Sequence, residues 1–138
     1  ILDLGAVDRV LVSSFDERRR RAAVDRLPGV ATSASSTRFV EALAAAKLGL
    51  RSGVVRALRG MQAVQIPERA LRISTITPRT IAAFHAAGVE VHVWTINDPV
   101  RMAELLDLGV DGIVTDHIDV LRDVLAERGQ PLTPPPVP

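Results

Sequence analysis

The chain has 138 residues, 47% of them hydrophobic and 24% charged, with a net charge of +1. That is enough for one modest globular domain and too hydrophobic for a disordered one. Near-neutrality supplies no field for nucleic acid or an anionic membrane, the absence of cysteine excludes disulfides and thiolate chemistry, and no apolar run approaches the roughly 18 residues of a membrane span. The compartment stays open, with the cytoplasm as the expectation. A start at Ile1 with no leader-like stretch after it is expected of a processed or excised piece.

In chain order, Ile1-Leu2-Asp3-Leu4-Gly5 followed by Asp8-Arg9-Val10-Leu11-Val12 echoes Leu105-Leu106-Asp107-Leu108-Gly109 followed by Asp111-Gly112-Ile113-Val114. Recurrence of helix end, glycine, aspartate and strand marks tandem strand–helix units. It predicts that the chain opens in the last turn of a helix whose front is missing. Short β-branched runs predict strands over residues 9–15, 30–33, 62–67, 91–96 and 112–116. Several are apolar on both faces, as parallel strands covered by helices are.

The helices between them are punctuated. One spans about Ser36 to Leu48, aligns Val40, Leu43, Ala44 and Lys47, and stops at Gly49. Thr77-Pro78 and Asp98-Pro99 each place a cap before a proline at the first helical position, with Gly88 and Gly109 past the last turns. Met102, Leu105, Leu106 and Gly109 form one stripe; Leu121, Val124, Leu125 and Arg128 form another. Residues 1–129 read as the folded part and 130–138 (QPLTPPPVP) as a proline-rich tail, since proline neither donates to a ladder nor continues a helix. Arg18 to Arg21 would spread round a helix at about 100° per residue and read as a solvated face.

Such units build either a doubly wound sheet or part of a (β/α) barrel. No glycine-rich phosphate loop follows any strand, which weighs against the first. Closing an eight-stranded barrel takes roughly 200–250 residues, so the expectation is an incomplete (β/α) barrel. Strand ends would carry its chemistry. Asp16 and Asp98 there read as helix caps, and Ser13 and Ser14 as loop hydroxyls without a neighbouring base. His85, late in a helix, reads as packing or as binding a carbonyl at the helix end. His92 alternates with Val91 and Val93, sharing a face with Trp94, and reads as a buried, hydrogen-bonded imidazole. His117 follows the last strand, within reach of a phosphate at the mouth.

Val91-His92-Val93-Trp94-Thr95-Ile96-Asn97-Asp98, then Leu108-Gly109-Val110-Asp111-Gly112-Ile113-Val114-Thr115-Asp116, resembles the C-terminal signature of glycerophosphodiester phosphodiesterases. That signature is a V-x-V-W-T-[VI]-N strand, a helix, and a G-V-D-G-I-x-T-D strand. Val10 to Asp16 resembles the family's S-F-[DN] strand, and Phe84-His85-Ala86-Ala87-Gly88 its helix end. Ile118 stands where the family's T-D-x-P ending has proline. The resemblance implies the last five strand–helix units of a phospholipase C-like phosphodiesterase barrel. It implies hydrolysis of glycerophosphodiesters to glycerol 3-phosphate and an alcohol, with Mg²⁺ or Ca²⁺ and two histidines as acid and base. The H-R-G, E-x-D, H-D and E-x-K motifs that carry those groups are absent here. The chain is therefore expected to bind no cofactor and to be inactive alone. Its partner would be the missing N-terminal half of the barrel or a second copy. The residues implied for substrate contact are Trp94 and Phe15 as apolar walls, Gln65 as a donor, and Asp116 and His117 at the last strand end. The rival reading is a non-catalytic half-barrel acting as a self-pairing or interaction module; a weaker third is another barrel phosphohydrolase with the same late strands.

Overall fold

A computed structural model describes residues 1–70 and 73–130. The predicted tail, apart from Gln130, lies outside the described residues. After two short 3₁₀ turns, Leu2–Leu4 and Val7–Arg9, the elements run β1 (Leu11–Val12), α1 (Glu17–Val24), β2 (Ala31–Thr32), α2 (Ser36–Leu48), α3 (Arg51–Ala57) and β3 (Ala63–Pro67). A hairpin follows, β4 (Arg69–Ala70) with β5 (Ile73–Ser74), then α4 (Pro78–His85), β6 (Glu90–Trp94), α5 (Pro99–Asp107), β7 (Gly112–Ile113) and α6 (Ile118–Glu127).

Strand pairing decides between the two architectures. β1 pairs with β2, and β3 with β6 and β6 with β7, all parallel. A parallel bridge from Ser33 to Ala63 joins the two sets. Leaving out the hairpin, the strands lie side by side in the order in which they occur. A doubly wound sheet reverses its order at a switch point; a barrel arc does not. Register places Gln65 beside His92 and His92 beside Gly112, and Pro67 beside Trp94.

Local chemistry sets the helices. Thr77 and Thr80 form a reciprocal capping box on either side of Pro78, and Asp98 accepts from the Arg101 amide at 2.7 Å. Gly49 ends α2 in the left-handed region at φ 75°, where a Cβ would be strained. The helices pack on one side of the sheet. Val64, Ile66, Val91 and Val93 point into them and are fully buried, with Phe84, Met102 and Leu105 opposite. Gln65, His92 and Trp94, on the alternate face, are only partly covered. Two-sided burial of the strands, as predicted, therefore does not hold among the described residues.

Other expectations are corrected. Three strands are shorter than predicted: two residues each for β1, β2 and β7. In α2 the core stripe is Phe39, Ala42, Ala45 and Ala46, while Val40 and Lys47 face outward. The helix is apolar on most sides, so its largest side chain, Phe39, sets the rotation. The unpredicted α3 lacks a side-chain cap and carries Gly53 mid-helix; Gly53 permits close approach, since a Cβ there would stand 3.0 Å from that of Ala45. Among the described residues no helix is long and apolar enough to cross a membrane.

Candidate functional site

All five parallel strands feed one hollow at their C-terminal ends. Ser13 comes from the end of β1, Ala34 from β2, Gln65 from β3, Trp94 and Thr95 from β6, and Val114 from β7. With Phe15 they enclose about 310 Å³. Convergence of strand ends on one mouth is where barrels of this kind do their chemistry. Phe15 and Trp94 meet edge to face with ring centroids 6.0 Å apart, a geometry that suits the ring quadrupoles. The Trp94–Thr95 peptide bond is cis. A second hollow of about 260 Å³ adjoins the first and shares Phe15, Ala34, Gln65 and Trp94 with it.

Three of the five predicted contact residues, Phe15, Gln65 and Trp94, thus line one mouth. Asp116 and His117 sit on the loop beyond β7 and line neither hollow. Asn97 ties that loop to the end of β6. Its Nδ2 donates to Asp116 Oδ2 at 3.0 Å, while its Oδ1 accepts from the Asp116 amide at 3.0 Å and the Thr115 hydroxyl at 2.9 Å. The Thr115 hydroxyl accepts in turn from the His117 amide at 3.0 Å. Sequence reasoning singled out Asp116 and passed over Asn97, although the W-T-x-N spacing places it one turn past the wall.

Behind Phe15, Asp16 caps α1, accepting from the Arg19 amide at 2.8 Å. Arg20 is buried, against the expectation of a fully solvated arginine run. Its guanidinium donates twice to Glu17, at 2.9 and 3.0 Å, and once to the Thr32 hydroxyl at 3.1 Å. Thr32 passes the connection to the β1 carbonyl of Val12 at 2.9 Å. Spacing alone could not distinguish Arg20, because the partner that draws it inward comes from β2. The Arg20 guanidinium holds the Glu17 carboxyl far below the usual carboxylate range, against the cost of burial; Ser35 Oγ, buried beside it without a bond of ordinary geometry, and Arg21 act in the same sense.

At the opposite ends of the strands, His85 binds a side chain rather than the predicted carbonyl: its Nε2 lies 2.7 Å from Asp111 Oδ2. Burial opposes ionisation of Asp111, yet the Val91 amide at 2.8 Å, His85 and the His92 ring together hold its carboxyl below the usual range. His92 is partly rather than fully buried and pairs with Glu90 at 3.0 Å.

These contacts also test whether the chain suits a divalent cation. Such an ion wants several oxygen ligands converging on one point. Asp16 and Asp98 cap helices, Asp116 is tied to Asn97, and Glu68 is bound by Arg101 at 2.7 Å. Among the described residues no three histidines or carboxylates converge on a point. The groups present do not fit a metal centre.

A singly wound set of parallel strands with helices on one side and a mouth at the strand ends is the arrangement of (β/α)-barrel folds. The Glycerophosphoryl diester phosphodiesterase family profile matches residues 3–120. The chain belongs to that family. It is 47% identical over 126 residues to a protein of Mycobacterium tuberculosis named "Probable glycerophosphodiester phosphodiesterase 2", covering 91% of this chain and 48% of that one. The chain thus spans about half the length of this curated relative. A dermonecrotic toxin of Loxosceles deserta is 47% identical over 38 residues, 28% of this chain and 14% of the toxin. Among solved structures, one assigned as a glycerophosphoryl diester phosphodiesterase of Silicibacter pomeroyi is similar at TM-score 0.67 and 27% identity, over 92% of this chain and 41% of that one. A glycerophosphodiester phosphodiesterase of Parabacteroides distasonis shares the fold at TM-score 0.66 and 19% identity, over 94% and 48%.

Proposed function

We propose that this chain is the C-terminal part of a metal-dependent glycerophosphodiester phosphodiesterase, comprising about the last five strand–helix units of its barrel. The whole enzyme would hydrolyse glycerophosphodiesters to glycerol 3-phosphate and an alcohol. The single observation carrying this is the mouth: five strand ends converge on a hollow walled by Phe15 and Trp94, with no charged side chain in its lining. Such a surface suits the carbons of a glycerol. It does not suit the phosphoryl charge, which grows during hydrolysis and needs a cation and a positioned acid.

The chain therefore supplies scaffold and substrate wall. Gln65 reaches the same hollow with an amide able to donate to a glycerol hydroxyl, while Asp116 and His117 shape the rim. The Mg²⁺ or Ca²⁺ and the acid–base histidines belong to an N-terminal half of the barrel, which would also cover the open face of the sheet. A second reading, self-pairing of a non-catalytic half-barrel, draws on the edges of β1 and β7 and on that same face.

The test is turnover of glycerophosphocholine. A longer protein containing this chain is expected to hydrolyse it and to stop on addition of a chelator. The 138-residue chain is expected to give none. Chelator-sensitive turnover by the chain alone overturns the division of labour. A stable dimer without turnover in either form favours the self-pairing module.

A further inference from the structure

The helix layer carries opposite charge in two of its parts. Residues 36–59, which include α2 and α3, hold five basic side chains and one acidic; residues 99–128, which include α5 and α6, hold seven acidic and three basic. The near-neutrality of the whole chain hides this division. Neighbours cancel only some of it. Glu104, Asp107 and Asp123 are bound by Arg101, Arg128 and Arg122. Among the described residues Arg51, Arg56 and Arg59 form no ion pair, and neither do Asp119 and Glu127.

Each surface also has a shape. At the α2–α3 turn Leu48 and Leu50 stand 72% and 54% exposed, flanked in the chain by Lys47 and Arg51. The turn is fixed: Gly49 sits at φ 75°, and the Leu50 amide donates to the Ala45 carbonyl at 2.8 Å. Two leucines are thus held out in water as one knob. Between α5 and α6 lies a hollow of about 470 Å³, lined by Pro99, Val100, Ala103 and Val124, with Glu127 and Arg128 completing it. Arg128 is already paired with Asp107, which leaves Glu127 as its uncancelled charge. Val100 is 66% exposed there.

Knob and hollow of one copy do not meet, because α4, packed on α2 and α3, lies between them. A barrel continued from the edges of β1 and β7 adds helices beyond α1 and α6 and covers neither surface. We infer that the two meet between copies: the Leu48–Leu50 knob of one copy seats in the α5–α6 hollow of the next, with basic flanks against acidic ones. The occupant is a second copy because one chain carries both the leucines with their cations and the hollow with its anions. Pairing of the α2–α3 surface with itself would set arginines against arginines and is disfavoured. Since knob and hollow are different surfaces, the contact is heterologous and either closes as a ring or runs on as a filament. It is separate from pairing through the open face of the sheet and does not rest on the phosphodiesterase reading.

The experiment is molar mass by light scattering against concentration, on the longer protein containing this chain. The parent is expected to form species larger than a dimer, in a proportion that falls as salt is added. Leu50→Glu, which spoils the knob, and Val100→Glu, which spoils the hollow, should each be monomeric. Mixed, they should give a 1:1 dimer and nothing larger, because one intact knob and one intact hollow remain between them. Leu50→Ser and Val100→Ser repeat the test at the same exposed positions without added charge, and unchanged thermal midpoints show that the variants are folded. A parent that stays monomeric up to about 1 mM overturns the inference. So does association that Leu50→Glu leaves intact, or that added salt does not weaken. Two folded monomeric variants that fail to combine assign the hollow to another occupant and overturn it as well.

Discussion

The two faces of the sheet are built to different rules. Toward the helices, Val64, Ile66, Val91 and Val93 pack at 0–1% exposure against Phe84, Met102 and Leu105. Toward the mouth, the alternating positions carry Gln65, His92 and Trp94, half-covered and polar or amphipathic. Residues one apart along a strand therefore have different surroundings, one packed into the helices and the next facing the open side of the sheet.

That contrast can be broken at several points. The largest effect is expected on the helix side. Phe84→Ala should cost about 3–5 kcal/mol of stability, read from denaturant midpoints, because it empties a closed core. Trp94→Ala, on the other face, should cost much less stability; an equal loss of stability would erase the distinction between the faces.

Next comes the ion pair behind Phe15. Arg20→Ala leaves Glu17 without its main partner and should cost roughly 2 kcal/mol at neutral pH. The folded Glu17 carboxyl is depressed below its ordinary value of 4.5, so the pair's contribution is full above that value and lost as the pH falls through the folded one. Arg20→Ala and Glu17→Gln should therefore flatten the acid limb of a stability–pH profile. An acid limb as steep as the parent's would show that the pair is not responsible.

The smallest effect joins the two faces' edges. A Cβ at Gly112 would stand 2.9 Å from His92 Cδ2. Because the ring is partly exposed and can give, Gly112→Ala should cost about 1 kcal/mol, and the loss should vanish in a His92→Ala background.

Much of the scaffold was legible because punctuation is local. Thr77-Pro78 and Asp98-Pro99 start their helices as spacing predicts, and Gly49 stops α2. Rotation of α2 and the existence of α3 were not, since both depend on which neighbour a nearly uniform apolar surface meets. In the site, the strand-end rule gathered Phe15, Gln65 and Trp94. It missed Phe39 and Val40, which reach the second hollow from a helix, and Arg20, which is drawn inward by Thr32 on another strand.

Asn97 uses both arms of its amide on the loop beyond β7, giving with one and receiving with the other. Aspartate matches its outline yet has no hydrogen to offer, and leucine has neither function. Size alone therefore does not choose the residue at this place: the letter is dictated by a two-sided polarity, and the tryptophan wall and the last strand's loop are locked into step by a single side chain.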